Sequence, residues 1–119
     1  MPRVLVAEDE KDIQFLYRAW LRRDGYEVVT ANDGAEAVEA YDSEPFDAVM
    51  LDVKMPRMDG VEACRRIRMK HADVPILMVS VLTRPDDVAR GLAAGASSYV
   101  NKPVTPREVR LRLSEIIAS

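Results

Sequence analysis

The sequence predicts an α/β fold in which a parallel sheet lies between layers of helices, and three observations carry that prediction. Short aliphatic runs alternate with longer segments of helical period along the whole chain. No internal repeat or Gly/Ser-rich linker interrupts the alternation, and 119 residues suit a single domain, taken here as residues 1–119. Polar groups gather at one end of the runs: Glu8-Asp9 after the first, Asp52 after the third, Ser80 after the fourth and Asn101-Lys102-Pro103 after the fifth. Strands joined through helices require right-handed crossovers, so all of those ends should share one edge of a parallel sheet.

Val4–Ala7 is the first strand. A helix follows from about Lys11 to Asp24, where Ile13, Leu16, Tyr17, Trp20 and Leu21 form an apolar stripe and Gly25 ends the element. Val28–Ala31 is the second strand. Asp33 is placed to cap a second helix while Glu36 returns the reciprocal bond, Ala37, Val38 and Tyr41 face inward, and Pro45 marks the exit. Ala48–Leu51 and Ile76–Val79 are the third and fourth strands, with a helix from Gly60 to Lys70 between them. Three strand runs are continuously aliphatic and should be buried on both faces. A fourth helix runs from Pro85 to Ala94, opened by Thr83 or Arg84 and closed by Gly95, before the last strand, Ser98–Val100. Thr105-Pro106-Arg107-Glu108 then supplies an N-cap, a first-turn proline and a capping-box acid for a fifth helix whose stripe is Val109, Leu113, Ile116 and Ile117.

Composition excludes several function classes. No apolar run is long enough to cross a bilayer, and the first residues lack the features of a signal peptide, so the expected location is cytoplasmic, without membrane contact. A single cysteine, Cys64, makes neither an internal disulfide nor a multi-cysteine metal site and reads as a core residue. With a net charge of -3 and scattered basic residues, direct nucleic-acid binding is not expected. His71, the only histidine, falls in a polar turn and reads as ordinary surface. Phe15 lies about 200° from Ile13 on a helical wheel, outside the stripe. It should be at least partly exposed beside Glu8-Asp9, with Pro103-Val104 on the neighbouring loop, and is a candidate anchor for a partner's helices.

At the carboxyl edge, three carboxylates, a hydroxyl and an ammonium should converge. Crowded carboxylates repel unless a cation or protons neutralise them, and an all-oxygen site suits a hard ion such as Mg²⁺ or Mn²⁺. No glycine-rich nucleotide-binding segment occurs.

Glu8-Asp9, the stretch from Leu51-Asp52 through Met55-Pro56 to Asp59-Gly60, Ser80 and Lys102-Pro103 together resemble the receiver domains of bacterial two-component response regulators. The resemblance covers essentially the whole chain. It implies a flavodoxin-like (βα)₅ domain of strand order 2-1-3-4-5. It also implies that Asp52 is the phosphoacceptor, that Asp9 is the main acidic ligand of Mg²⁺ with Glu8 acting directly or through water, and that the Lys54 backbone carbonyl is a further ligand. Ser80 would bond a phosphoryl oxygen, Lys102 would pair with the phosphoryl group, the bond before Pro103 would be cis, and Tyr99 would be the aromatic switch. The implied donor is a histidine kinase or histidine phosphotransfer protein. The implied output runs from the fourth helix, fifth strand and fifth helix to an effector protein or a C-terminal output domain. Ser97-Ser98 stands where many DNA-binding relatives carry acidic residues of a dimer face, Val104 replaces a frequent Phe, and Val81 is larger than the common Ala.

Two other classes compete. Asp-dependent phosphatases and phosphomutases also phosphorylate an aspartate after a parallel strand, but they place a second acid two residues on, where this chain has Lys54. A phosphorylation-independent pseudo-receiver would have lost an acid or the lysine, and all are present. The chain is therefore expected to be a switch that catalyses only its own phosphorylation and dephosphorylation.

Overall fold

The computed structural model describes all of residues 1–119. In chain order the elements are β1 (Arg3–Ala7), α1 (Lys11–Arg23), β2 (Glu27–Ala31), α2 (Gly34–Ser43), β3 (Ala48–Asp52), α3 (Gly60–Lys70), β4 (Ile76–Ser80), α4 (Pro85–Ala93), β5 (Ser98–Asn101) and α5 (Pro106–Ala118). All strand pairs are parallel, and the sheet runs β2-β1-β3-β4-β5. This is the flavodoxin-like order, with the switch in strand order between β1 and β3. No helix is long and apolar enough to cross a membrane.

Alternation along the strands divides the core between the two faces. Val4, Val6, Met50, Leu77 and Val79 pack against Tyr17 and Leu21 of α1 and Val109 and Leu113 of α5. Leu5, Ala7, Leu51, Ile76 and Met78 face Ala37 and Tyr41 of α2 and Ala63, Cys64 and Ile67 of α3. β3 and β4 are buried throughout and β1 from Val4 onward, because helices cover both faces of the central strands. Cys64 is fully buried, and burial pushes its thiol up to about 11, so it stays a neutral packing group.

Several expectations need correction. β3 and β4 each run one residue further than the aliphatic pattern indicates, so Asp52 and Ser80 are the last residues of their strands. Register explains this: Asp52 still pairs with Val79, and Ser80 with Asn101. On α1, Leu16 is exposed and Gln14 is buried. The Gln14 amide is drawn in because it donates to the carbonyls of Glu8 (2.9 Å) and Ala31 (3.3 Å) and to Asn32 Oδ1 (3.1 Å), joining the chain where β1 and β2 end. Asp33 caps α2 by accepting from the Glu36 N–H at 2.8 Å, but Glu36 Oε1 returns its bond to Asn32 rather than to Asp33. Thr105 likewise caps α5 through the Glu108 N–H at 3.1 Å, without a bond in return. α4 begins after Arg84 with no side-chain cap, and Pro85, which has no N–H to satisfy, takes the first position. Gly25 and Gly95, at φ +94° and +116°, end α1 and α4 as glycine permits.

Candidate functional site

Parallel strands bring their carboxyl ends to one edge, and the sequence-predicted residues collect there. Glu8, which follows β1, is fully buried, whereas its neighbour Asp9 is exposed. Asp52 closes β3 and is 6% exposed. One carboxylate oxygen from each of Glu8, Asp9 and Asp52 lies within 4.8 Å of the others. The Lys102 ammonium, delivered by the loop after β5, donates to Glu8 Oε1 at 2.8 Å and to Asp52 Oδ2 at 3.0 Å. Its backbone N–H is held by the Ser80 carbonyl at 2.8 Å, and the Lys102–Pro103 peptide is cis.

Electrostatics follow from this packing. Burial raises the Glu8 carboxyl above its ordinary range, and the bonds from Lys102 and the Glu10 N–H (3.0 Å) only partly offset it. Burial alone would favour neutral Lys102, but the two carboxylates outweigh it and the ammonium is held well above its usual range. One cation thus stands against three acids. This donor set fits a hard divalent ion, with oxygen ligands only, a partly open approach and surplus negative charge. Asp9 and Lys54 line the same open cleft, of about 630 Å³, together with Met55, Asp59 and Leu82.

Ser80 is fully buried at the end of β4, and its Oγ accepts from the Leu82 N–H at 3.0 Å. Tyr99 is half-buried on β5 and donates its hydroxyl to the Leu82 carbonyl at 2.7 Å. Both side chains therefore hold the same residue from opposite ends. Phe15 is 62% exposed, but it does not line the apolar groove beside the site; Leu16, Tyr17, Trp20, Pro103 and Val104 do, together with Val81. His71 caps α3 with its ring 4.4 Å from that of Tyr41, away from the strand ends.

Some site-building residues were given no role at the site from the sequence. Gly60 starts α3 so close to β3 that its N–H reaches the Val53 carbonyl at 2.8 Å. Arg57 adopts φ +65° and bonds Asp33. Gln14 ties the ends of β1 and β2 together. Of these, only Gly60 carried a usable sequence signal, a glycine at the first helical position where helix propensity disfavours it.

The fold and the acidic edge define a flavodoxin-like α/β domain with three carboxylates gathered at the carboxyl end of its sheet. A family model described as the response regulator receiver domain matches residues 4–114, and the chain belongs to that family. It is 40% identical over 115 residues to the alkaline phosphatase synthesis transcriptional regulatory protein PhoP of Bacillus subtilis, covering 97% of this chain and 48% of the relative. The chain spans about half the length of the curated relatives it matches. Among solved structures it is similar to the Vibrio cholerae chemotaxis protein CheY4, with TM-score 0.93, 35% identity and 98% of each chain covered. It is also similar to the receiver domain of the Pseudomonas aeruginosa sensor histidine kinase PA1611, which has a magnesium ion coordinated in its active-site cleft. There the TM-score is 0.92 at 32% identity, covering 99% of this chain and 98% of that one.

Proposed function

We propose that this receiver domain takes a phosphoryl group from a phosphohistidine onto Asp52 in a Mg²⁺-dependent reaction and signals through the α4-β5-α5 surface. The observation that carries this reading is the Lys102 ammonium held between Glu8 and Asp52, with Asp9 open to the adjoining cleft. An Asp52 carboxylate oxygen attacks phosphorus. The new O–P bond forms as the P–N bond to the donor breaks, and the departing imidazole nitrogen keeps the electron pair and takes up a proton. A carboxylate is a weak nucleophile toward an anionic group, so the rate depends on alignment and on positive charge near the equatorial oxygens. Lys102 offers its ammonium, and Ser80 offers its hydroxyl proton. Mg²⁺, for which Asp9, Asp52 and the Lys54 carbonyl are the assigned ligands, with Glu8 acting directly or through water, would supply divalent charge. Water then hydrolyses the acyl phosphate, releasing inorganic phosphate and restoring the Asp52 carboxylate, so the domain catalyses only its own phosphorylation and dephosphorylation.

The signal is assigned to Ser80 and Tyr99. A hydroxyl drawn toward phosphoryl oxygens loosens its hold on the Leu82 N–H, and Tyr99 holds the carbonyl of the same residue. The β4-α4 loop thus couples the site to β5, biasing the output face. A longer protein of the relatives' length would carry a C-terminal output domain for that face to act on.

Incubation with Mg²⁺ and a small phosphodonor should add one phosphoryl mass to the native chain, and a chelator should prevent it. A native chain that gains no mass sinks the reading. The two acids next to β1 should differ in their contribution. Asp9 is exposed and unpaired, whereas both Glu8 oxygens are already engaged by Lys102 and the Glu10 N–H. Mg²⁺ titration should show about a tenfold loss of affinity for Glu8→Gln, the scale of outer-shell partners, and a larger loss for Asp9→Ala. Equal losses would overturn the ranking.

The donor is assigned to α1 and the loop after β5, where Leu16, Pro103 and Val104 line the apolar groove and Phe15 stands exposed outside it. Leu16→Ala and Phe15→Ala should each slow transfer from a histidine-bearing protein while leaving the small-donor reaction unchanged, Leu16→Ala more strongly. Parallel losses with both donors would instead mean that these side chains support the site's structure.

A further inference from the structure

Residues 54–57 include the carbonyl assigned to the metal, yet their backbone is almost untethered. None of their amides donates a hydrogen bond, and the one carbonyl that accepts, Pro56, takes the Met58 N–H at 2.7 Å, within the loop itself. A single side chain joins this stretch to the rest of the molecule by hydrogen bonds. Arg57 Nε donates to Asp33 Oδ2 at 2.7 Å, its Nη2 reaches the same oxygen, and Nη2 also lies 3.5 Å from Glu36 Oε2. Arg57 makes this reach from φ +65°, a conformation that residues with side chains seldom adopt.

The other end of the contact is rigid. Asp33 is 3% exposed, and its second oxygen caps α2 through the Glu36 N–H at 2.8 Å. The next residue, Gly34, donates its N–H to the Met58 carbonyl at 2.9 Å, so the loop after β3 meets the start of α2 at two adjacent points. A Cβ on Gly34 would lie 2.3 Å from the Met58 carbonyl oxygen, which shows how closely the two backbones approach.

We propose that Arg57 is a positioning residue for the metal site: clamped to buried Asp33, it sets the path of the loop after β3 and hence the place of the Lys54 carbonyl. The inference rests on the proposed function and deepens it, giving α2, which contributes no ligand, control over cation affinity.

The test is Mg²⁺ titration calorimetry on the native chain, Arg57→Gly, Asp33→Asn, the double variant and Arg57→Lys, with melting in chelator alongside. Glycine accepts φ +65° without strain, so Arg57→Gly removes the contact and not the backbone conformation. Asparagine keeps the helix cap and loses the charge. Each single change should weaken Mg²⁺ binding on the order of tenfold, as loss of an outer-shell partner does. The double variant should be no weaker than either single one, because both remove the same contact. Arg57→Lys should recover part of the affinity. A melting shift in chelator with a native Mg²⁺ constant in Arg57→Gly would make the clamp merely structural and overturn the proposal, as would losses that multiply in the double variant. If the native chain takes up no Mg²⁺, the proposed function itself falls and the clamp's role falls with it.

Discussion

Asp52→Asn is expected to gain no phosphoryl mass under conditions where the native chain gains one group, and to melt higher than the native chain when metal is chelated. The amide matches the carboxylate in shape and can still accept from Lys102 through its oxygen, so the fold should be unchanged. It is not a nucleophile toward phosphorus, which removes the reaction outright. The stability change has the opposite sign because the native site is electrostatically overcrowded. Oxygens of Glu8, Asp9 and Asp52 lie within 4.8 Å of one another and only Lys102 stands against them. Removing one charge ends two repulsions and one attraction. The change also ends the cost of keeping the nearly buried Asp52 carboxylate out of water, and the net gain is about 1 kcal/mol. Saturating Mg²⁺ should reverse the order, since a ligand at 100 times its dissociation constant adds about 2.7 kcal/mol to whichever chain binds it. Melting curves in chelator and in Mg²⁺, with intact mass, check both halves. A mass gain in Asp52→Asn would refute the acceptor assignment, and a lower melting point in chelator would refute the overcrowding.

That overcrowding was legible in the sequence because strand ends are. An aliphatic run followed by an acid places the acid at a known edge of a parallel sheet, and Asp52, Ser80 and Lys102 needed nothing further to be brought together. Side-chain direction on α1 was less legible. Period alone favours Leu16 over Gln14 as a core residue, but the carbonyls of Glu8 and Ala31 at the ends of β1 and β2 attract an amide, and the groove under Pro103-Val104 leaves Leu16 half in water. The exposed aromatic at Phe15 follows from the wheel; that Leu16, not Phe15, lines the groove does not. Contacts between loops were the least legible. Asp33 was identified as a cap, which uses one of its oxygens, and nothing in the local sequence says that the second meets Arg57, 24 residues away. The burial that would raise the Asp33 carboxyl is outweighed by the Glu36 N–H and the Arg57 guanidinium, which together hold it below the usual carboxylate range.

Gly60→Ala should be among the most destabilising single-methyl additions in the chain, although Gly60 has ordinary backbone dihedrals and begins a helix. The reason is distance. A Cβ built on Gly60 lies 2.1 Å from the Asp52 carbonyl oxygen, 2.9 Å from its carbon and 3.0 Å from Val53 Cα. All three are backbone atoms, so no rotamer change relieves the contact, and α3 or the end of β3 must move. Overpacking that displaces backbone costs about 3 kcal/mol, which for a domain of this size lowers the melting midpoint by roughly 10–15 °C. Gly25→Ala is the matched control. At φ +94° it carries a conformational penalty but has nothing within 4 Å, so it should cost only about 1 kcal/mol. Because the displaced strand end carries Asp52, Gly60→Ala should also weaken Mg²⁺ binding at temperatures where the variant remains folded, whereas Gly25→Ala should not. Melting midpoints within a degree of each other for the two variants would show that the β3-α3 junction yields easily, and that close packing of α3 on Asp52 is not what fixes the acceptor in place.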